Sequence, residues 1–491
     1  MGISILGCTL SLLLWSLQLE DFQWLLSLGN FLIIGIIPVC AAESIYALFL
    51  AMSESSNIHK GSFDNPAGLA SCMCFVIPYL FYLKDKHGGK GIYTSLLILL
   101  ILTVFISKSR TGCVSALCSY VNLRSSSLRC LFLRQVRHHK RIALTTLLIL
   151  TFLFCLFVYN VRSDSADGRI LIWRIGFIMA LDNPVFGHGS GSIAAEYMDY
   201  QANYLDQVNN AKWNYLADNT KHLFNEYLEL WVQYGIIGLL LLVGCVFFIV
   251  NAYKKCKELI SRYAFTSIIS IMLFSCFSYP FSYPFTWIIL FLSIVIIITD
   301  AYGSFISNLL VSYRKLLSVI ILSLSLCIGY LSINRLIHEY NWGKIAKDNS
   351  INGVDRLRRY ESLKTYFNNN PYFLYNYAME AYCYDENELC KQIALRCRCL
   401  CADFNLDLLI GVNYIDLREY DLSQQYLVKA QKMCPNRFEP LYYRVQAYIE
   451  QNKIDEAKCL AKAILKKEIK IPSREIEEIK REMETLLSTR D

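Results

Sequence analysis

Long apolar runs almost free of charge constrain this chain more than any other feature. LLILLILTVFI, IALTTLLILTFLFCLFVY, IIGLLLLVGCVFFIV, WIILFLSIVIIIT and LLSVIILSLSLCIGYL each extend to roughly 18–22 residues, the length a helix needs to cross about 30 Å of hydrocarbon. Composition agrees: 55% of the 491 residues are hydrophobic and 18% are charged, whereas soluble domains carry about 25% charged residues. The expected fold is all-α, a polytopic membrane helical bundle with about ten spans over residues 1–334. The first 18 residues lack a charged n-region and a small-residue cleavage site, so they read as a span or an interfacial helix. The net charge of +7 is modest, and no nucleic-acid partner is expected.

Basic residues set the orientation, because Lys and Arg stay on the cytoplasmic side. RSSSLRCLFLRQVRHHKR at 124–141 is the densest basic loop. KDKHGGK (84–90), YKKCK (253–257) and the loop holding Arg314 and Lys315 share its side. Three segments then face outward: SESSNIHKGSFDNP, the large loop 161–225, and the tail 335–491. The parity closes with SKSRTG (107–112) as an outer turn between spans 91–107 and 110–123.

The tail is a second domain, charged and Tyr-rich, with a helical period that repeats. LDLLIGVNYIDLREYDLSQQYLVKAQKMCPN (406–436) aligns with EPLYYRVQAYIEQNKIDEAKCLAKAILKKE (439–468) at an offset of 34 residues, and a looser copy surrounds NPYFLYNYAMEAYCYDENEL (370–389). This resembles the tetratricopeptide repeat, a helix–turn–helix unit whose arrays present a concave surface to a protein partner; a plain helical cap is the other reading. Twelve of the 19 cysteines precede residue 330, and seven lie in the tail, including RCRCLC at 396–401. Neighbouring Cys on a helix point different ways and no His joins them, so no metal is expected. Disulfides stay open, because pairing cannot be read from sequence.

Chemistry gathers in the loop 161–225, which is too long for a connector. It opens with RSDSADGRILIWRIGFIMALDNPVFGHGSGS, an amphipathic helix followed by a Gly-rich turn. That turn is either a flexible connection or a backbone cradle for an anion. Arg169 and Arg174, joined by Arg110 in SKSRTG, are suited to a diphosphate head group, which guanidinium binds bidentately without losing its charge. They would otherwise snorkel to lipid phosphates. The loop closes on KHLFNEYLELWVQYGIIGLL (221–240). His222, Asn225, Glu226 and Glu229 are spaced i, i+3, i+4 and i+7, one face of a helix at the lip of a span. His222 accepts a proton near neutral pH. His188 in FGHGSG is the rival base, and Glu226 or Glu229 would orient an imidazole or replace it.

At these residues the chain resembles the O-antigen ligase and O-antigen polymerase family, which includes bacterial O-linked protein oligosaccharyltransferases. Four pieces match in order over roughly residues 60–300: GSFDNPAGLA (61–70), SKSRTG, the Arg-bearing helix with NPVFGHGSG, and the closing stretch. In that stretch the family shows His, then Asn, Ser or Gln, nine residues, and Gly-x-x-Gly with an apolar residue. Asn225, Gly235, Gly238 and Leu239 keep this spacing. Phe224 stands where the histidine would, and His222 lies two residues earlier, about 200° away on an ideal helix, so its use requires residues 221–225 not to be regular helix. Gly235 and Gly238 would permit close helix packing.

The resemblance implies a GT-C-type glycosyltransferase of the bacterial inner membrane with no cofactor and no metal. Its donor would be an undecaprenyl-diphosphate-linked glycan. Its acceptor would be lipid A–core, a growing glycan or protein, at the periplasmic face. His222 would be the catalytic base, and Arg110, Arg169, Arg174, Asn225 and Glu226 would bind substrate. Of the three activities ligase is the first expectation, with polymerase and protein transfer as alternatives. A transporter or a membrane scaffold is the reading from another class; ionisable groups gathered at one face, rather than buried mid-span, favour the enzyme.

Overall fold

The computed structural model describes residues 22–53, 60–88, 91–136, 163–310, 314–348 and 350–488, and among them there is no β-strand. The chain divides into two compact units. The first takes the chain before Arg162, with Phe224–Tyr227 and Leu239–Ile337. The second takes Arg162–Leu223, Leu228–Gly238 and His338–Asp491, so most of the large loop clusters with the tail.

In the first unit the central element is helix Pro66–Lys86, buried at every residue from Gly68 to Leu83. A helix apolar on all sides belongs in the middle of a bundle. It packs against Gly91–Ile106, Arg110–Val136 and Leu259–Ser275. Asn65 starts it by accepting the amides of Ala67 and Gly68, and Pro66 occupies the first turn, where no amide is needed. Around this core the outward faces stay apolar: Phe49 is 67% exposed and Phe247 68%. Among the described residues four helices are long and apolar enough to cross a membrane: Leu32–Ser53, Pro66–Lys86, Glu226–Tyr253 and Pro284–Gly303; Gly91–Ile106 and Leu259–Ser275 are shorter apolar helices. The runs expected before residue 19 and at 142–160 lie outside the described residues.

Two local expectations change. Helix Arg110–Val136 is continuous, so the basic stretch expected as a loop from Arg124 begins as helix. The turn expected on the outer side is confined to Ser107–Ser109, with Lys108 at φ 52° and Ser109 capping Gly112 through its hydroxyl.

In the second unit the tail forms helix pairs with a recurring turn. Asp385, Arg418 and Asn452 adopt left-handed φ of 60°, 60° and 57°. After each, the next amide reaches back five residues: Glu386 to Ala381, Glu419 to Tyr414 and Lys453 to Tyr448, at 2.9–3.0 Å. The pairs Pro371–Cys383/Asn387–Arg398, Phe404–Asp416/Tyr420–Met433 and Glu439–Glu450/Ile454–Lys466 therefore share one geometry. The looser copy near residue 370 keeps it too. Asn370 and Asp403 cap their helices through side-chain oxygens.

The loop contributes helices Ser163–Asp182, Ser192–Val208 and Ala211–Leu216 to this unit. Ser192–Val208 lies on Tyr420–Met433. Buried Gln201 donates to the carbonyls of Asp218 and Met433 at 3.0 and 2.7 Å, and Asn436 donates to Tyr215 and Ala217. Arg398 bridges Asp407 at 2.6 Å and Asp199 at 2.5 Å. Leu171, Ile175, Tyr197 and Leu223 from the loop share one core with Phe404, Ala430 and Met433 from the tail.

Candidate active site

Why residues 217–225 stay irregular decides where His222 points. Trp173 donates its indole N–H to the Leu223 carbonyl at 2.9 Å, and Leu223 is fully buried. Gly176 lets this segment in, since a Cβ there would stand 3.0 Å from Leu223 and Leu228. Phe224 follows at φ 53°, in the left-handed region, and regular helix starts only at Glu226. The polar stripe expected at helical spacing is therefore broken: His222 precedes the helix, with a left-handed residue between them. This is the departure from helix that the displaced histidine requires.

His222 lines a cavity of about 340 Å³ whose walls come entirely from the second unit. Lys221, Glu229 and Gln233 line it on the loop side, and Tyr372, Tyr375, Cys401 and Asp403 on the tail side. Glu229 receives Gln233 Nε2 at 3.4 Å on Oε1. Its Oε2 is buried with no hydrogen-bond partner among the described residues. Such an orphaned acceptor is costly unless a ligand donor fills it.

The Gly-rich turn spends its amides on protein acceptors rather than on an anion cradle. The helix beginning at Glu226 breaks at Gly235, with φ 65° and ψ −164°, and the turn fits into the break. His188 and Gly189 donate their amides to the carbonyls of Val232 and Gln233 at 2.8 and 2.9 Å, while Ile236 donates to Pro184 at 2.9 Å. A Cβ on Gly235 would lie 2.0 Å from the Val185 carbonyl oxygen, and one on Gly187 2.5 Å from Gln233. Gly235 thus serves a backbone-to-backbone approach with positive φ. That corrects the simpler expectation of helix-to-helix packing. The amides that would have cradled phosphate are used, with Gly191 donating to Gln233 Oε1 at 3.2 Å.

His188 is fixed by the same turn. One ring nitrogen lies 2.8 Å from the Met179 carbonyl, the other 2.9 Å from Glu196, and the side chain is 7% exposed. Both nitrogens face acceptors. Arg169 and Arg174 share helix Ser163–Asp182. Arg174 is exposed, its guanidinium 5.0 Å from the Trp213 ring and 5.7 Å from Tyr204. Neither arginine lines the His222 cavity.

Arg110, Asn225 and Glu226 belong to the first unit. Arg110 opens its helix. Asn225 accepts the Tyr227 amide at 3.0 Å, and Glu226 accepts the Phe281 amide at 2.9 Å. Phe224 packs edge-on against Tyr279, whose hydroxyl accepts from Asn65. GSFDNPAGLA and the SYPFSYPF stretch (278–285) are thus neighbours in this unit.

Tyr372, Tyr375 and Asp403 escaped the sequence reading because they sit some 150 residues or more from His222. Their one visible signal was the looser repeat copy near residue 370. Lys221 and Gln233 stood in the quoted stretch, without a pattern to single them out.

Comparison with known proteins agrees with the motifs. The O-antigen ligase family matches residues 95–243, which include the Arg-bearing helix, the turn, His222 and Gly235. An uncharacterized protein of Haemophilus influenzae is 31% identical over 84 residues, 17% of this chain and 19% of that protein's length. No solved structure matches the chain. The apolar helices indicate a multi-pass membrane protein, and its residues 95–243 match the O-antigen ligase family.

Proposed function

We propose that this protein transfers a glycan from an undecaprenyl-diphosphate carrier to an acceptor hydroxyl at the periplasmic face of the bacterial inner membrane, as an O-antigen ligase does. One observation carries the reading. His222 and Glu229, on either side of a helix start inside the family match, line the same cavity. His222 is the general base, since His188 has both nitrogens against acceptors. Glu229 holds the acceptor or the imidazole.

The acceptor hydroxyl gives its proton to an imidazole nitrogen of neutral His222 as its oxygen forms a bond to the anomeric carbon. The bond from that carbon to the diphosphate oxygen breaks, and the electron pair leaves with undecaprenyl diphosphate, which gains one negative charge. Arg110, Arg169 and Arg174 are assigned to that charge, because guanidinium binds phosphate oxygens bidentately and stays protonated. Asn225 and Glu226 are assigned to substrate binding at the helix start. Polymerase and protein oligosaccharyltransferase activities differ only in the acceptor, and the tail is then periplasmic.

The test is a glycan gel of a deletion strain carrying wild-type protein or His222→Ala at equal membrane level. Wild type restores the ladder. Loss of the base costs about 10²–10⁴-fold, so His222→Ala leaves it absent. A full ladder with His222→Ala sinks the base assignment. The deletion phenotype separates the activities: loss of every unit from an intact core means ligase, and core plus one unit means polymerase.

A further inference from the structure

The family match ends at residue 243, yet one wall of the His222 cavity comes from the tail. Tyr372 and Tyr375 stand one turn apart at the start of helix Pro371–Cys383, and Asn405 stands at the start of Phe404–Asp416. Tyr372 is 62% exposed, a large aromatic ring left unburied at the cavity wall. The Lys221 ammonium lies 5.3 Å from its centre. Opposite are His222 and Glu229, whose buried Oε2 has no hydrogen-bond partner among the described residues. A ligand completing this site needs an apolar face for the tyrosine and hydroxyl donors for the carboxylate. A sugar ring has both, C–H groups on its face and O–H groups at its edge.

We infer that the tail is the acceptor-binding wall of this site, with Tyr372 and Asn405 positioning a carbohydrate whose hydroxyl meets His222. This rests on the reading of His222 as the base. Tyr372 carries the ring by stacking, Glu229 accepts one of its hydroxyls, and Asn405 bonds another through its amide.

The full chain, purified in detergent, is mixed with solubilised membranes of the deletion strain, which hold both unconsumed donor and unmodified acceptors. The lipopolysaccharide fraction is then varied. Expected is a product that survives proteinase K. The amount of that fraction giving half-maximal transfer rises about tenfold in Tyr372→Ala, the saturated rate stays within about twofold of wild type, and Tyr372→Phe behaves as wild type. Asn405→Ala shifts the same quantity in the same direction. A product destroyed by proteinase K overturns the inference, as does an unchanged half-maximal amount in Tyr372→Ala. His222→Ala run alongside separates the two readings. If it transfers normally while Tyr372→Ala shifts, the wall stands and the base assignment falls. If it is inactive while Tyr372→Ala is unshifted, the wall falls and the base assignment stands.

Discussion

The two units bury polar groups in opposite ways. In the first, the buried polar residues among those described are uncharged, and many return to nearby backbone or another hydroxyl. Ser115 meets Ser270 at 2.6 Å, Tyr79 meets Ser293 at 2.6 Å, and Ser267 and Ser275 donate to the carbonyls of Phe75 and Ile271 at 2.8 and 2.9 Å. In the second, charged groups are buried as well, beside uncharged ones such as Gln201. Arg398 is clamped between Asp407 and Asp199, and Arg356 meets Glu380 at 3.0 Å, with the two arginines 12% and 8% exposed. The difference follows from the surroundings. A unit whose outer face is apolar has no water nearby to relieve a charge, so hydroxyls bonded within the bundle are the tolerable polar groups. A unit with a polar outer face can bury a charge wherever a partner meets it, though removing that partner is then expensive.

The sharpest way to break this contrast is at Gly235. Gly235→Val puts a β-branched side chain at φ 65° and 2.0 Å from a carbonyl oxygen. The expected loss is on the order of 5 kcal/mol, enough to unfold the second unit. Limited proteolysis should remove the tail while fragments of the first unit persist. An undisturbed tail would mean that the turn and the helix break are not coupled.

Arg398→Ala comes next. It strands buried Asp407, while Asp199 keeps Lys429 at 3.0 Å, and should cost about 3 kcal/mol, read as a lower unfolding temperature of the purified chain. Asp407 gives the pH signature. Burial pushes its carboxyl up to about 6, with Arg398 opposing. Because the folded-state value lies above the unfolded one, the folded chain binds more protons between about pH 4 and 6, and stability falls as pH rises through that window. Wild type should therefore gain stability on acidification from pH 6 to 4 relative to Asp407→Asn. Parallel curves for the two proteins would refute this. Smallest is the double change Ser115→Ala with Ser270→Ala. Removing both partners leaves no orphan, and interhelical hydroxyl pairs average about 0.6 kcal/mol. A cost like that of Arg398→Ala would erase the distinction between the units.

Much was legible from local pattern. Asn65-Pro66 reads as the start of a span and is a cap. The 34-residue offset reads as a repeat, and its turns recur at Asp385, Arg418 and Asn452. His222 reads as a base out of register, and Phe224 supplies the break that register demanded. The helical stripe through His222 failed because spacing says nothing of a left-handed residue. The anion cradle failed because the turn's amides were claimed by carbonyls 44 residues away, at Val232 and Gln233.

The sequence by itself determined the helices, the membrane character, the repeat and the family resemblance of residues 95–243, all encoded in periodicities and motifs spanning a few turns. Only tertiary structure decided that the large loop and the tail are one body, and that Tyr372 faces the same cavity as His222. Gln201 reaching Met433, and Arg398 reaching Asp199, join residues about 200 positions apart. Such contacts are chosen by shape and by the need to satisfy buried polar groups, and neither leaves a period in the sequence.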